Sequence, residues 1–326
     1  MLIREIKIEK FGAPDVMQLM QRELPSLQPH EVLVRQTVIG FNALDISQRN
    51  GHIYKLDLPS GLGHEAAGVI EAVGANVSDL KVGDRVAYMN APIGAYADFR
   101  NIPAEKLVKI PENITDIQAA TLLFKGLTAQ YLLHRTYKVG PNDIILIHAA
   151  AGNVSQIMCR WAKHLGAFVI GTVSSESKRA LALEAGCDVV INLAEENWPE
   201  QVLKATDGKK AKVVYDSIGK DTFLKSLDCA AKFGTVVIYG ALSGPAPLVD
   251  PELLNTKGCL FLTRPSVFAH NATTKELREN ANQLFDAIAS GAVQLEQVAQ
   301  FKLSEVAQVH KAVEDRKLAG AIVFTP

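Results

Sequence analysis

The stretch Asp143-Ile-Ile-Leu-Ile-His-Ala-Ala-Ala-Gly-Asn-Val-Ser-Gln-Ile-Met158 decides the fold. A continuous apolar run leads into a turn of small residues, and the turn opens an amphipathic segment. Strand, tight turn and helix in that order form the entry to a dinucleotide-binding βαβ unit. The start of such a helix offers backbone N–H groups and the positive end of its dipole to a pyrophosphate.

Toward the C-terminus the pattern repeats. Ile144–His148 reads as strand one and Val154–Leu165 as a helix, Phe168–Val173 as strand two and Ser177–Ala185 as a helix. Val189–Leu193 follows as strand three, Val213–Asp216 as strand four, a helix around Thr222–Ala231, then Thr235–Tyr239 and Cys259–Thr263 as strands five and six. Short apolar strands alternating with helices predict a doubly wound parallel sheet. Two helices, near Thr274–Ser290 and Ser304–Arg316, and a last strand at Ala321–Phe324 complete the tail. The tail is expected to return to the N-terminal part.

Toward the N-terminus the first ~120 residues are mostly β, with short apolar or alternating runs punctuated by glycine and proline. Examples are Glu31–Val38 and Gly68–Val73. From Ile117 the spacing becomes helical over Gln118–Leu133, with Thr115-Asp116 as the N-cap.

The chain has 326 residues, 48% hydrophobic and 21% charged, with a net charge of −1, a composition that suits two globular domains. That balance gives no bulk electrostatic reason to bind nucleic acid or a membrane surface. No apolar run approaches the ~18 residues that span a bilayer, and the N-terminus lacks the apolar core of a signal peptide. Cys159, Cys187, Cys229 and Cys259 are widely spaced, with no C-x-x-C pair. A reduced, cytoplasmic protein without disulfides is the expectation.

The glycine fingerprint of a dinucleotide turn needs one glycine for the turn, one for approach to the pyrophosphate and one for helix–strand packing. Gly152 can serve the first role. Asn153, which tolerates positive φ, and Ser155, which is small, stand in the next places. An NAD site carries Asp or Glu at the end of strand two for the ribose 2′-OH. Here Val173-Ser174 occupy that place. Ser174 and Ser175 offer hydroxyls, and Lys178 with Arg179 offers positive charge for a 2′-phosphate. Glu176 argues the other way, and a solvated helix face would also explain the two cations. The reading favours NADPH.

Taken together, Asn42-Ala-Leu-Asp45, Pro59-Ser-Gly-Leu-Gly-His-Glu-Ala-Ala-Gly68, Val82-Gly-Asp-Arg-Val86 and the Gly152 turn resemble the medium-chain dehydrogenase/reductase superfamily. Phe124-Lys-Gly-Leu-Thr-Ala129, Val213-Val-Tyr-Asp-Ser-Ile-Gly219 and Thr263-Arg-Pro-Ser266 resemble its zinc-free, zeta-crystallin-like quinone oxidoreductase branch, closest to the bacterial NADPH:quinone reductases. The resemblance runs along essentially the whole chain. It implies an α/β protein with a GroES-like β-rich catalytic domain (1–124 and 267–326) and a Rossmann doubly wound parallel-sheet domain (125–266), with the nicotinamide in a cleft, and a homodimer. The cofactor-binding positions it implies are Asn42, Ala43, Leu44, Asp45, Ile46, Ser47, Tyr131, Gly152, Asn153, Val154, Ser174, Ser175, Lys178 and Ile218. Leu242, Ser243, Gly244, Pro265, Ser266, Val267 and Arg316 complete them. The chain departs from the branch at Asn153 and Ser155, where Gly-Val-Gly is usual. It also departs at Leu193, where close relatives carry a Tyr beside the adenosine phosphate.

His64-Glu65 resembles the zinc alcohol dehydrogenase signature, but a catalytic zinc needs about three protein ligands. Zinc members place a Cys where this chain has Asn42, and a last ligand near Phe124-Lys125, where no Cys, His, Asp or Glu occurs. No metal is expected, and His64 reads as a hydrogen-bonded structural residue.

A reduced nicotinamide brings its own hydride. The protein must position ring and acceptor, and supply a donor to the developing oxyanion. Candidate catalytic residues are Asn42, Asp45, Tyr54 and Lys125. Asp45 would orient the ribose or a neighbouring backbone. Related reductases place a Tyr at the position of Ile53, so Tyr54 is shifted by one. The leading expectation is an NADPH-dependent quinone reductase. Reduction of an activated alkene such as an enone or 2-alkenal, or cofactor binding with little catalysis, are the alternatives.

Overall fold

The computed structural model describes residues 1–52, 55–294 and 297–326. The chain divides into two compact units. One comprises Met1–Phe124, Asn271–Ala289 and Leu295–Pro326, the other Lys125–His270 and Ser290–Gln294.

In the first unit, alternating side chains build antiparallel sheets. β1 (Leu2–Ile8) pairs with β2 (Gln18–Glu23) and with β4 (Ser60–Gly61). β3 (Glu31–Gly40) pairs with β5 (Glu65–Val73) and β7 (Phe99–Pro103). β5 continues through β6 (Arg85–Tyr88) to β8 (Val108–Lys109). Apolar residues on the inner faces, among them Val34, Ile39, Tyr88, Tyr96 and Phe324, form one buried cluster. The cluster includes the last strand, β16 (Ala321–Thr325), which pairs antiparallel to β3 and parallel to β15 (Val298–Lys302). The sequence reading missed β15. Its residues are half exposed at a sheet edge, so they lack the apolar alternation that marks a strand buried on one face. The same reading described 43–47 only as a motif; they belong to helix α1 (Ala43–Arg49), one of the shorter helices.

Helix α2 (Asp116–Tyr131) begins where Thr115 predicts. Thr115 Oγ accepts the Gln118 N–H at 3.1 Å, and Gln118 Oε1 accepts the Thr115 N–H at 2.9 Å, a reciprocal capping box.

The second unit carries a six-stranded parallel sheet. Its strands are β9 (Ile144–Ile147), β10 (Phe168–Val173), β11 (Val189–Asn192), β12 (Ala211–Asp216), β13 (Ala230–Ile238) and β14 (Phe261–Thr263), in spatial order β11-β10-β9-β12-β13-β14. This is the dinucleotide-binding order 3-2-1-4-5-6, whose switch point lies between the first and fourth strands, here β9 and β12. Ile145, Leu146 and Ile147 are completely buried, as a central parallel strand covered on both faces requires.

The connecting helices are α3 (Asn153–His164), α4 (Arg179–Glu184), α5 (Trp198–Ala205), α6 (Phe223–Cys229), α7 (Pro251–Thr256) and α8 (Val267–His270). The sequence reading missed α5. Its Pro199 reads as a breaker, yet it stands in the first turn, where the missing N–H costs nothing. The tail supplies α9 (Thr274–Ala289) and α10 (Val306–Glu314). Among the described residues no helix is long and apolar enough to cross a membrane.

Candidate active site

The C-terminal end of β9 is the natural starting point, because ligands of open α/β sheets bind beyond the strand ends at the switch point. The chain leaves β9 through His148, and Ala149 adopts a left-handed φ of 51°. Gly152 is then an extended N-cap (φ −78°, ψ 154°), and α3 starts at Asn153. The expected left-handed role of Asn153 is therefore corrected: Asn153 is helical, and the reversal takes place at Ala149. Gly152 serves by being small, since a Cβ there would lie 3.1 Å from the Ala149 carbonyl oxygen. With glycine as N-cap, α3 opens without a capping side chain, the arrangement that turns a helix N-terminus toward an anion.

Ser155 stands where the third glycine is expected. It is buried, its Oγ donates to the His148 carbonyl at 3.1 Å, and the Tyr239 hydroxyl lies 3.1 Å away.

Beyond the end of β10, Lys178 Nζ donates to Ser174 Oγ at 3.1 Å, and both residues are exposed. Ser175 Oγ meets Ser177 Oγ at 3.0 Å. Arg179 is tied to the Glu176 carboxylate and to the Val190 carbonyl. Glu176 is thus neutralised locally, and its pKa is held down by the Arg179 hydrogen bond. Lys178, rather than Arg179, is the cation presented beside Ser174. Leu193 is half buried and packs against the sheet core.

The loops beyond β12 and β13 are tied together. Ser243 N–H donates to the Ile218 carbonyl at 2.9 Å, Leu242 N–H to Ser217 at 3.1 Å, and Lys220 N–H to Gly244 at 3.1 Å. Backbones run so close here that a Cβ on Gly219, itself at φ 88°, would lie 2.4 Å from the Gly244 oxygen. The buried Asp216 holds this corner. Its carboxylate accepts from Ile218 N–H at 2.8 Å and from Gly219 N–H, Thr222 Oγ and Ser226 Oγ, each at 2.9 Å. Ser226 Oγ also lies 2.9 Å from His148 Nε2, and His148 Nδ1 lies 2.9 Å from Thr172 Oγ. Since Ser226 gives its proton to Asp216, His148 donates through Nε2 and accepts at Nδ1 from Thr172. Burial lowers the His148 pKa and keeps the ring neutral. The sequence reading named Ile218 and treated His148 as a satisfied core residue. It missed Asp216, although the Asp of Val-Tyr-Asp-Ser-Ile-Gly219, followed by hydroxyls at 222 and 226, was a usable signal. Past β14, Ser266 Oγ accepts the Phe268 N–H at 3.3 Å, and His270 stacks on Tyr131 with centroids 4.6 Å apart. Pro265, Ser266 and Val267 thus border the start of α8.

In the first unit, Asn42 is the buried N-cap of α1, and its Nδ2 donates to the fully buried Glu65 at 3.0 Å. Glu65 also accepts the Phe124 N–H at 2.6 Å. Asp45 is fully buried; its Oδ2 accepts the Asn42 backbone N–H at 2.8 Å and the Tyr96 hydroxyl at 2.9 Å. Its carboxylate thus holds the backbone at Asn42. Ala43, Leu44, Ile46 and Ser47 complete the exposed and half-buried side of α1. Lys125 is buried on α2. Arg316 follows α10 in a left-handed conformation (φ 58°) and is exposed. Tyr54 lies outside the described residues. His64 Nε2 meets Gln48 Oε1 at 2.8 Å, and burial, aided by the Arg100 charge, pushes its pKa down to about 4. Among the described residues no three His, Cys, Asp or Glu side chains gather as a metal site.

Residues 28–112 match the model of the alcohol dehydrogenase GroES-like domain, and residues 154–289 that of the zinc-binding dehydrogenase family. A quinone oxidoreductase of Pseudomonas aeruginosa is 43% identical over 325 residues, covering 100% of both chains. A 2-haloacrylate reductase of Burkholderia sp is 44% identical over 325 residues, covering 98% of each. The crystal structure of an Escherichia coli quinone oxidoreductase complexed with NADPH superposes with a TM-score of 0.92 at 41% identity, covering 99% of this chain and all of the other.

Proposed function

The chain belongs to the quinone oxidoreductases of the medium-chain dehydrogenase/reductase superfamily, and from that premise we propose that it is an NADPH-dependent quinone reductase. The observation that carries the cofactor assignment is the end of β10, where the exposed Lys178 and Ser174 are hydrogen-bonded to each other and Arg179 neutralises Glu176. A 2′-phosphate suits that pair, whereas a 2′-hydroxyl would want an acidic partner. The uncapped start of α3 suits the pyrophosphate.

NADPH, when bound, supplies a hydride equivalent from its nicotinamide, and a proton completes reduction of the quinone to the hydroquinone. The chain's own groups bind, orient and donate. Asn42, held by Glu65, and the buried Lys125 are the proposed donors to the acceptor oxygen. Asp45 acts through the backbone of Asn42. Tyr54 stays in the proposal from sequence alone. Ile218, Leu242, Ser243, Gly244, Tyr131, Pro265, Ser266, Val267 and Arg316 are proposed to line the cofactor, with residues 43–47.

A homodimer is part of the same reading. β14 is an edge strand, and Phe261, Phe233 and Leu248 expose large apolar side chains, a liability that a partner strand removes. A cytoplasmic setting is part of the same proposal, and its support is the sequence, where four widely spaced cysteines form no C-x-x-C pair.

Titration calorimetry tests the cofactor assignment. Lys178→Ala should weaken NADPH by about ten- to a hundredfold, the range of one lost charge-assisted hydrogen bond, while NADH changes by less than about twofold. An equal effect on both would remove Lys178 from the phosphate site. The 2-haloacrylate reductase relative favours a second reading, reduction of an activated alkene. Side-by-side turnover of a benzoquinone and an enone with NADPH should give the higher kcat/KM for the quinone. The reverse order would install the alkene reading.

A further inference from the structure

The fingerprint calls for a glycine at position 155 so that helix and strand can approach closely. This chain puts a serine there and still buries it. Ser155 has one proton, and the His148 carbonyl, 3.1 Å away, is an acceptor only. With that proton directed at the carbonyl, Ser155 Oγ accepts from the Tyr239 hydroxyl across the remaining 3.1 Å, and the Ser217 hydroxyl is the phenol's other polar neighbour. Burial pushes the Tyr239 pKa up to about 12, so the phenol keeps its proton throughout the physiological range.

Tyr239 directly follows β13, and its own N–H donates to the Asp216 carbonyl at 2.9 Å. The next residues run through Gly240, where a Cβ would lie 2.4 Å from the Ser217 oxygen, to Leu242, Ser243 and Gly244. One hydrogen bond thus joins the first turn of α3, the proposed pyrophosphate site, to the start of the loop proposed to line the cofactor.

We propose that Ser155 and Tyr239 form a positioning pair that replaces the third glycine of the dinucleotide turn and sets the spacing between the α3 N-terminus and the 240–244 loop. The inference rests on the reading of this unit as the NADPH site. The pair joins the first turn of α3 to the residue that follows β13, whereas Lys178 and Ser174 lie beyond the end of β10. It therefore governs affinity for the part shared by NADPH and NADH, not the choice between them.

A double-mutant cycle of Tyr239→Phe and Ser155→Gly, read by calorimetric binding of NADPH, NADH and 2′-AMP, tests this. Tyr239→Phe removes only the hydroxyl and leaves Ser155 Oγ without its donor. It should weaken NADPH and NADH alike by about tenfold, the effect of one buried partner lost. Binding of 2′-AMP, which has no pyrophosphate, should stay within about twofold. In the Ser155→Gly background, which restores the fingerprint glycine, adding Tyr239→Phe should cost less than about twofold, the signature of a coupled pair. A tyrosine that merely supports the fold would lower the thermal midpoint in both backgrounds alike and leave no such coupling in affinity. Equal losses in the two backgrounds, or wild-type affinity in Tyr239→Phe, would overturn the pair. Failure of the wild-type protein to bind either dinucleotide would instead overturn the cofactor reading and the pair with it.

Discussion

Asp216→Ala is expected to destabilise the protein by about 3 kcal/mol or more and to abolish measurable NADPH binding. The carboxylate is fully buried and satisfies two backbone N–H groups and two hydroxyls. Alanine removes every one of those acceptors and offers water little room to replace them. Each buried donor left unpaired costs roughly 1–3 kcal/mol, and relaxation of the loop recovers part of the sum. The loss also propagates: without Asp216 the Ser226 proton turns elsewhere, and His148 loses the fixed orientation of its Nε2 partner. Asp216→Asn separates the two effects. It keeps the shape and one acceptor oxygen, so it should retain more stability than Asp216→Ala and still bind NADPH more weakly than the wild type. Urea unfolding and calorimetry on both variants check this. An Asp216→Ala protein with wild-type stability would mean that the corner at 216–222 is held by backbone contacts alone.

A steep loss of stability on mild acidification is the second large effect. Burial, with the nearby Arg100 charge, lowers His64 to about 4, and burial, with Arg49, lowers His310 to about 3, against 6.5 for a solvated imidazole. His310 Nε2 sits 3.1 Å from the Tyr96 hydroxyl, whose proton goes to Asp45. Well above pH 6.5 neither histidine is protonated in the folded or the unfolded chain, so neither contributes a slope. Below 6.5 the unfolded chain takes up protons that the folded chain refuses, and stability falls with falling pH. The fall continues until the folded pKa values near 4 and 3 are reached. Each histidine contributes a slope of about 1.4 kcal/mol per pH unit in that window. Over the full window the pair amounts to several kcal/mol, comparable with the roughly 5–15 kcal/mol that stabilises a folded domain. Unfolding free energies at pH 7.5, 6.0 and 5.0 measure the slope. The His64→Gln/His310→Gln variant should show a markedly flatter one, whatever its absolute stability. An unchanged slope in that variant would assign the acid sensitivity to other groups.

Much of the second unit was legible in the sequence because its signals are local. Four apolar residues before a small-residue turn can hardly be anything but a central parallel strand, and the alternation that follows repeats that logic. Thr115 could be read as a cap because its partner, Gln118, is three residues away. Lys178 and Ser174 could be paired for a phosphate because they are four apart. The boundaries that slipped were those where two neighbours compete for the same residues, as at Cys229 and Ala230, where α6 passes directly into β13. The edge strand β15 escaped because exposure on both sides erases the periodicity on which such a reading depends.

By itself the sequence determined the six alternating strands of the second unit, the place of the dinucleotide turn and the family motifs, since each is written in residues within a few positions of one another. Only the tertiary structure decided which polar side chains act together. Asn42 with Glu65, Asp45 with Tyr96 and Ser155 with Tyr239 are separated by 23, 51 and 84 residues. Nothing local marks one partner for the other. A buried hydrogen bond is specified by where two chains of packed backbone bring a donor and an acceptor to about 3 Å, and that meeting exists only after the sheets have formed. The left-handed turn belongs to the same class. Local propensity favours Asn153 for it, but the path from β9 into α3 places the reversal at Ala149 and leaves Asn153 to begin the helix.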